Sequence, residues 1–495
     1  MSILHIHPDD NVAIAIEPLT AGQVITLNGR QINCIQDIPQ GHKFACTAIQ
    51  QDDNIIKYGH SIGHATTTIK IGEWVHSHNL ATNLQDKIEY QYTPTKPSGV
   101  AMPQQPNFMG YRRSNGRVGT RNEIWILNTV GCVNTTAQRI AEIARNRYPN
   151  EVDGIHAFSH PFGCSQLGDD LGKTRSILAS LASNSNAGGV LILGLGCENN
   201  QLQVLIDQIK KSADPKRIRY FNSQNVDNEI EAGLTAIDEL IHIVKHDQRQ
   251  TVPLSDLVIG LKCGGSDAFS GLTANPLLGQ ITDRLTAAGG TAILGEVPEM
   301  FGAEQQLMNR CIDETMFNKT VALINNFKQY FTEYKQPVYE NPSPGNKQGG
   351  ITTLEEKSLG AVQKGGQATI TQILDYGEIS TNKGLNLLQC PGNDAVSSTA
   401  LIASGATLLL FTTGRGTPLG FPVPTIKVAT NNKLAQQKAH WIDFNAGSLL
   451  DENKNLSQLS DELLKFIIAI VSGKQTQNEI NGYREIAIWK QGVML

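Results

Sequence analysis

One short pattern recurs along the chain and constrains its fold more than any other feature: an apolar run that ends in Gly-Cys or Cys-Gly. Four clear copies carry Cys132, Cys164, Cys197 and Cys263, and a looser copy carries Cys390. The four clear copies lie 32, 33 and 66 residues apart, and about 30 residues is the length of one strand followed by one helix. The spacing therefore predicts an α/β chain whose parallel strands end in cysteine-bearing loops.

The position of these cysteines indicates a site, because ligands bind beyond the carboxyl ends of strands in open α/β sheets. Three explanations stay open. The cysteines could be small side chains that fill tight strand ends, or thiolates that hold an iron centre. Alternatively, one of them is a catalytic nucleophile and the others have no role in the chemistry. No Cys-x-x-Cys pair occurs in the chain, so a local zinc ribbon is not expected.

Composition excludes several classes of protein. A chain of 495 residues is too long for one hydrophobic core and predicts several domains. A net charge of −5 without a basic block argues against nucleic acid as a main partner. No apolar run is long enough to span a membrane, and the N-terminal residues lack a signal-peptide pattern, so the expected location is cytoplasmic. The eight cysteines are then expected to be thiols or metal ligands.

Residue patterning divides the chain into four segments. Short strand-like runs separated by glycines, with an Asn28-Gly29 hairpin turn, predict a small β-rich domain at 1–95. A linker rich in Pro and Gln is expected at 96–110. Strand-like and helical runs then alternate, which predicts mostly parallel, Rossmann-like α/β domains at 111–250 and 251–495. The boundary between these two domains is the least defined.

The loops after the predicted strands are polar and suit a polyhydroxylated ligand. Arg415 lies between two glycines and offers a planar fork to a carboxylate. A nucleotide site is not expected, because neither glycine motif of nucleotide-binding folds occurs. Glu296, Glu299 and Glu304 crowd one strand end. They are either a solvated acidic loop, with Glu304 on the following helix, or ligands for a metal or a hydroxyl group.

Eleven short motifs together resemble the altronate/galactarate dehydratase family. They include Gly-His42-Lys43, Gly116-Arg-Val-Gly-Thr-Arg121-Asn-Glu, Gly-Cys164-Ser-Gln-Leu-Gly-Asp, Gly-Leu-Gly-Cys197-Glu-Asn-Asn, Cys263-Gly-Gly-Ser-Asp267, Glu-Val-Pro-Glu299-Met-Phe-Gly-Ala-Glu304, Pro-Gly-Asn393-Asp394 and Thr-Gly-Arg415-Gly-Thr-Pro. The resemblance runs essentially from end to end. It departs from the family pattern at Gly420-Phe421-Pro422, where a Gly-Gly-Phe turn is expected.

The resemblance implies a cytoplasmic hydro-lyase of hexuronate catabolism that converts D-altronate to 2-dehydro-3-deoxy-D-gluconate. Galactarate or a related sugar acid is the alternative substrate, and a non-enzymatic sugar-acid binding protein is the alternative function. The resemblance also implies an SAF-type β-clip module and dependence on Fe(II). Whether the iron is mononuclear or part of an iron–sulfur cluster stays open, as does homo-oligomerisation.

The implied reaction gives each candidate residue a role. Lys43 or His42 would remove the weakly acidic C2 proton of the substrate. Iron would be held by Cys132, Cys164, Cys197 and Cys263, with Glu198 or Asp267 as an additional ligand. Arg415 would hold the substrate carboxylate, and the other substrate contacts would come from Glu198, Asn199, Asp267 and Asn393. The β-rich module is expected to pack over the strand ends and close the site.

Overall fold

The computed structural model describes residues 2–84, 89–95, 106–451 and 454–495. The N-terminal module is β-rich, as predicted, and contains β1 (Ile3–Leu4), β2 (Val12–Ala15), β3 (Val24–Leu27), β4 (Arg30–Asn33), β5 (Lys43–Ala45), β6 (Asn54–Lys57), β7 (His60–Ala65), β8 (Trp74–Val75) and β9 (Leu80–Ala81). Antiparallel sheets form in the orders β1-β2-β5-β8, β3-β4 and β6-β7-β9. Asn28 and Gly29 turn between β3 and β4 with φ angles of 50° and 78°, as a type I′ hairpin requires.

The second part of the chain alternates strands and helices: β10 (Asn107–Arg112), β11 (Val118–Gly119), β12 (Glu123–Asn128), α1 (Asn134–Arg147), β13 (Gly154–Phe158), α2 (Gly168–Ala182), β14 (Ala187–Gly194), α3 (Leu202–Ile209), β15 (Ile218–Asn222) and α4 (Glu229–Val244). A parallel sheet forms in the order β13-β12-β14-β15. Ile124 and Ile126 of β12 pack with α1 and α4, whereas Trp125 and Leu127 pack with α2 and α3. Both faces of the sheet are therefore covered by helices.

The third part contains β16 (Gln250–Pro253), β17 (Val258–Cys263), α5 (Ala274–Ala287), β18 (Thr291–Leu294), α6 (Glu304–Met308), α7 (Glu314–Glu333), α8 (Pro344–Gln348), α9 (Leu354–Ala361), β19 (Ile370–Leu374), β20 (Gly384–Leu388), α10 (Asp394–Ala403), β21 (Leu408–Thr413), β22 (Thr425–Ala429), α11 (Asn432–Gln437), β23 (Phe444–Asn445), α12 (Leu456–Val471) and α13 (Gln477–Ile480). Its parallel sheet has the order β19-β20-β18-β17-β21-β22-β23. The predicted fold class, a mostly parallel α/β body with a small β-rich domain, is confirmed.

The predicted linker at 96–110 needs one correction. Residues 96–105 lie outside the described residues, but β10 begins at Asn107 and pairs antiparallel with β16. Phe108 and Gly110 are buried while their neighbours Asn107 and Met109 are exposed, which is the alternation of a half-buried strand. The abundance of Pro and Gln just upstream obscured this short pattern. The strand belongs to a small sheet, β11-β10-β16, beside the two parallel sheets.

The N-terminal module lies against the loop that follows β17, where it was expected. A Cβ atom at Gly41 would be 3.4 Å from the Cβ of Ala268 and 3.6 Å from the ring of Phe269. The module therefore sits beside the carboxyl edge of the seven-stranded sheet. Within the described parts of the chain, no helix has both the length and the apolar character needed to cross a bilayer.

Candidate active site

Six charged side chains and one cysteine meet at the carboxyl edge of the seven-stranded sheet. They come from the end of β17, the loops after β18 and β20, α9 and the turn that follows α9: Lys262, Cys263, Glu296, Glu299, Lys357, Lys364 and Asp394. We call this set the charged cluster. Five members are at most 5% exposed, and Lys357 and Asp394 reach its rim.

Ion pairs connect the cluster. Lys262 Nζ contacts Glu296 and lies 2.8 Å from Asp394 Oδ1. Lys364 Nζ is 3.2 Å from Glu296 Oε2, and Lys357 Nζ is 2.9 Å from Glu299 Oε1. Three ammonium groups thus face three carboxylates. Because buried charges are unfavourable unless they are paired, such a concentration at strand ends is typical of a functional site rather than of a core.

The backbone at Glu296 is also unusual. Its φ of 64° lies in the left-handed region, which residues other than glycine seldom adopt. Its amide donates a hydrogen bond to Cys390 Sγ at 3.2 Å, so the conformation is held by the neighbouring loop. Strained backbone of this kind concentrates at functional sites, where surrounding contacts enforce it.

The thiol of Cys263 is protonated at neutral pH. Burial raises its pKa to about 12, and Glu296 and Glu299 act in the same direction. The thiol donates to Glu299 Oε2 at 3.2 Å, and Lys364 Nζ lies 2.8 Å from the sulfur atom. Burial also opposes ionisation of Glu299, but Lys357, Lys262 and Lys364 outweigh it and hold the pKa of Glu299 at about 2. Cys263 is thus neutral while Glu299 is charged.

The cluster fits a metal ion poorly. Cys263, Glu296 and Glu299 form the one group of three candidate ligand atoms lying within 4.8 Å of one another in the described part of the chain. Each carboxylate is already paired with a lysine, however. A divalent cation would have to displace these lysines. The charge balance therefore disfavours Cys263 as an iron ligand.

The other three predicted metal ligands lie on the second sheet. Cys132, Cys164 and Cys197 are exposed and follow β12, β13 and β14, which are adjacent in that sheet. Their loops are bonded to one another. The backbone N–H of Asn200 donates to Gly163 O at 2.9 Å, its side chain donates to Thr129 O at 3.0 Å, and Gly131 N donates to Phe162 O at 2.9 Å. The structure thus brings these three cysteine loops together at one sheet edge, apart from Cys263.

Two predicted substrate contacts shape these loops. Glu198 accepts hydrogen bonds from the Thr129 hydroxyl and from Gly196 N at 2.6 Å. Burial would raise the pKa of Glu198, but these hydrogen bonds outweigh it and lower the pKa. Asn199 Oδ1 accepts from Ser165 N at 2.7 Å, next to Cys164. Both side chains therefore position the cysteine loops.

The three exposed cysteines have sulfur atoms that are free of charged partners among the described residues. In the part of the chain that the structure describes, no carboxylate or ammonium group bonds to their sulfur atoms; Cys197 accepts from Gln224 Nε2 at 3.6 Å and Cys164 contacts the Ser165 hydroxyl at 3.8 Å. Thiolates are soft ligands that select iron–sulfur clusters and related centres. The three sulfur atoms do not all lie within 4.8 Å of one another in the described structure, so it is their donor chemistry, and not their spacing, that favours them over the charged cluster.

A polar cavity of about 890 Å³ opens between the N-terminal module and the seven-stranded sheet. Its lining includes Gln40 of the module together with Asp267, Gly349, Arg415 and Lys433. Arg415 is exposed, and its Nη1 donates to Gly345 O at 3.1 Å and to Gln348 Oε1 at 3.3 Å. The other guanidinium nitrogens make no hydrogen bond to described residues, so they face the cavity available for a ligand.

Of the residues predicted to contact the substrate, Asp267 and Arg415 line this cavity, whereas Asn393 does not. The carboxylate of Asp267 accepts from the hydroxyls of Ser270 and Thr430, at 3.1 and 2.9 Å. Burial raises the pKa of Asp267 despite these bonds. Asn393 caps α10 instead, because its Oδ1 accepts from Val396 N at 3.1 Å.

The two predicted catalytic bases contact the loop after α8. Lys43 Nζ lies 2.8 Å from Glu356 Oε2 and donates to Gly350 O at 3.0 Å. Burial lowers its pKa to about 8, against the opposing charge of Glu356. His42 Nε2 donates to Gln348 O at 3.2 Å, and its Nδ1 accepts from Trp74 Nε1 at 3.1 Å. Burial lowers the pKa of His42 to about 4, so the ring is neutral.

Sequence reasoning missed the lysines of the site. Lys57, Lys262 and Lys364 are at most 1% exposed, although lysine is almost never fully buried unless paired. The one available signal was Lys262, which interrupts the apolar run before Cys263. The alternative of a solvated acidic loop was wrong, since Glu296, Glu299 and Glu304 are buried by these pairings. Glu304 does begin the following helix, as expected, and pairs with Lys328 at 2.8 Å.

Three family models cover most of the chain. Residues 1–83 match the altronate/galactarate dehydratase SAF domain, 110–245 match the second domain of D-galactarate dehydratase/altronate hydrolase, and 254–494 match the C-terminal domain of D-galactarate/altronate dehydratase. The altronate dehydratase of Escherichia coli (strain K12) is 49% identical over 501 residues, which cover 100% of both chains. The chain belongs to the altronate/galactarate dehydratase family.

Two further relatives extend the comparison within the altronate/galactarate dehydratases. The altronate dehydratase of Bacillus subtilis (strain 168) is 48% identical over 100% of both chains. The galactarate dehydratase (L-threo-forming) of Escherichia coli is 34% identical over 95% of this chain and 93% of its own length. The exposed cysteines lie within residues 110–245, which match the model of the family's second domain. The charged cluster and Arg415 lie within residues 254–494, which match the model of its C-terminal domain.

Proposed function

We propose that this protein is an altronate dehydratase, a hydro-lyase that removes water from D-altronate to give 2-dehydro-3-deoxy-D-gluconate. The observation that carries the proposal is its 48–49% identity, from end to end, to two altronate dehydratases. The galactarate dehydratase is more distant, at 34%. The site agrees with a small polar acid as substrate, because the cavity beside Asp267 is lined mainly by hydrogen-bonding groups.

Arg415 is the proposed carboxylate contact. Its guanidinium is held on one side by Gly345 O and Gln348 Oε1, which leaves the remaining N–H groups for a bidentate contact. Asn431 lies beside it and donates to Asp267 Oδ2 at 3.1 Å. Because Asn431 also donates to Gly414 O at 3.0 Å, its amide holds Asp267 in place, and the Asp267 carboxylate is the group that offers an acceptor to a hydroxyl group of a sugar acid.

Lys43 is the proposed base for the C2 proton, with His42 as the alternative. A base works best when its pKa is near the operating pH, and the pKa of Lys43 is about 8. Lys43 contacts Gly350, next to Gly349 in the cavity lining. His42, with both ring nitrogens bonded, serves to hold the same loop.

Iron is the proposed cofactor, and Cys132, Cys164 and Cys197 are the residues that would hold it. When bound, iron supplies a Lewis acid that polarises a hydroxyl group for departure. The protein's own contribution is to fix the three loops: Asn200 joins those of Cys132 and Cys164, and Glu198 orders that of Cys197.

A direct test is an anaerobic assay of the purified protein on D-altronate and on galactarate, with and without Fe(II), scoring the 2-keto-3-deoxy acid product. We expect iron-dependent product from D-altronate. Product from galactarate alone would keep the reaction class and change the substrate. No product from either acid, with iron-loaded protein, would contradict the dehydratase proposal and favour a sugar-acid binding protein.

Galactarate remains the second candidate because of one observation. Lys433 lines the same cavity as Arg415, and a dicarboxylate needs a cationic contact at each end. If Lys433→Gln weakens turnover of galactarate but not of D-altronate, Lys433 is the contact for the second carboxylate.

A further inference from the structure

A second cavity, of about 420 Å³, lies at the opposite edge of the seven-stranded sheet from the charged cluster. One wall is the turn between β10 and β11, at 115–118. The other wall includes Val258 and Thr291, which are the first residues of β17 and β18, and Lys383, which precedes β20. The cavity therefore joins the second and third parts of the chain, and neither the proposed reaction nor the cysteine loops use it.

Arg117 is the distinctive residue of this cavity. It belongs to a run with arginines four residues apart, Arg113, Arg117 and Arg121. Arg113 pairs with Asp247 at 2.9 Å and Arg121 with Glu479 at 2.7 Å. Arg117 instead donates to a backbone carbonyl, Ser380 O, at 3.2 Å, and pairs with no carboxylate of the described residues. Burial alone lowers its pKa, which agrees with the missing counter-charge.

A second cation faces the same space. Lys383 Nζ donates to Ser255 O at 2.6 Å. Burial lowers the pKa of Lys383, the charge of Asp256 opposes this shift, and the repulsion of Arg117 adds to it. The nearest acidic side chain in the lining, Asp256, is bonded to Arg112 at 2.7 Å. The cavity thus holds two cations and one carboxylate, and Arg112 also pairs with that carboxylate, so the lining carries an excess of positive charge.

The lining also contains a hydroxyl group without a partner. Ser404 lines the cavity and is 0% exposed, and its Oγ forms no hydrogen bond to any described residue. Buried polar groups in native proteins normally have a partner. Other hydroxyl or backbone donors in the lining come from Ser185, Thr381 and Thr407. An unbonded donor beside unbalanced cations is the environment that an oxyanion completes.

We infer that this cavity is a second ligand site, separate from the candidate active site, which binds the oxyanion group of a small phosphorylated or carboxylated metabolite between Arg117, Lys383 and Ser404. The contacts come from two domains, since Arg117 lies in the region of the second family model and the other two in the C-terminal region. A bound anion would therefore also stabilise the junction between these domains.

The test uses isothermal titration of the full-length protein with inorganic phosphate and, separately, with gluconate. Titrations are done in the Arg415→Gln background, so that the cavity beside Asp267 does not contribute. We expect saturable binding of at least one anion, weakened about tenfold or more by Arg117→Gln, because a charge-assisted contact is lost. Binding of phosphate alone identifies a phosphoryl ligand, and binding of gluconate alone identifies a carboxylate.

Two variants serve as controls. Arg139→Gln removes an exposed arginine that pairs with Glu142 on α1, and it should leave anion affinity unchanged. Lys383→Gln, at an exposed position, should weaken binding without affecting folding, which keeps the test valid if Arg117→Gln destabilises the protein. If both Arg117→Gln and Lys383→Gln bind the anions as tightly as the parent Arg415→Gln protein, or if neither anion binds saturably to that parent, the inference is overturned.

Discussion

Lys43 of the N-terminal module and Glu356 of α9 form a buried ion pair between two domains, with 2.8 Å between Nζ and Oε2 and side-chain exposures of 0% and 1%. Lys57 Nζ shares the same carboxylate at 2.7 Å. One carboxylate thus pairs with two ammonium groups that lie 313 and 299 residues away in the sequence. Among the described residues, this carboxylate is the one acidic side chain that both lysines contact, and it adds to other bonds between the module and the α/β body, such as those of His42 to Gln348 O and of Thr82 to Glu355.

Glu356→Gln should therefore destabilise the protein strongly. Removing one partner leaves buried charge uncompensated, which costs about 3–5 kcal/mol, and here two lysines lose their partner. The measurement is the free energy of unfolding in urea. Glu142→Gln, which removes an exposed pair with Arg139, should cost less than about 1 kcal/mol. Equal effects of the two substitutions would show that the buried pair does not hold the module.

Glu299 predicts how the charged cluster responds to acid. Its folded pKa, about 2, lies below the ordinary value of 4.5, so its ionised form stabilises the fold fully above pH 4.5 and less as the pH falls towards 2. The difference in unfolding free energy between wild type and Glu299→Gln should shrink with acidification, by roughly 3 kcal/mol over the full range. Denaturation series at several acidic pH values measure it, and a pH-independent difference would contradict the assignment.

Arg415 should act on substrate binding rather than on folding. Arg415→Lys keeps the charge but loses the planar fork, so KM for D-altronate should rise about tenfold or more, whereas the melting temperature should change little because the side chain is exposed. Steady-state kinetics and thermal denaturation provide the two readouts. Lys433→Gln, in the same cavity, is the matched control for loss of a nearby charge. An unchanged KM in Arg415→Lys would exclude Arg415 as the carboxylate contact.

The cysteines should divide sharply in their reactivity. Cys132, Cys164 and Cys197 are exposed, so a thiol reagent should modify these three rapidly in the iron-free protein. Cys263 and Cys390 should react only after unfolding, because burial raises both pKa values to about 12. Mass spectrometry of labelled peptides identifies the modified positions.

Iron loading should protect the three reactive cysteines, and Cys164→Ser should lower the iron content of the purified protein. Cys263→Ser is the internal comparison. A larger loss of iron from Cys263→Ser than from Cys164→Ser would place the metal at the charged cluster, against the charge balance described above.

Local patterns were enough to predict much of the fold. The spacing of Cys132, Cys164 and Cys197 reports strand–helix units, because each unit repeats a length set by backbone geometry. The helix α1, Asn134–Arg147, follows from the sequence in the same way, since its buried residues Ala137, Ile140, Ala141 and Ala144 recur with helical periodicity. The hairpin turn at Asn28-Gly29 was predictable as well, because these two residue types favour the positive φ angles that a type I′ turn requires.

The candidate site was only partly predictable, because its decisive contacts are distant in sequence. Lys364 meets Cys263 across 101 residues and Lys43 meets Glu356 across 313. Neither pairing produces a periodic pattern in the sequence, and an isolated lysine in a sequence resembles a surface residue. Asn393 shows a related ambiguity: a polar residue after a strand is typical both of a ligand contact and of a helix cap, and the structure shows the cap.

The hydrogen bonds of Asn200 have a consequence for how this protein tolerates change. Its backbone and side chain connect the loops of Cys164 and Cys132 while it follows Cys197 in its own loop. Surface loops ordinarily accept insertions and deletions one at a time. The three cysteine loops cannot change independently, because a change in the length of one loop displaces the hydrogen-bonding groups that hold the other two. An insertion or deletion near one of the cysteines should therefore be tolerated only when the other two loops change with it. The lengths of the three loops are expected to change together during evolution.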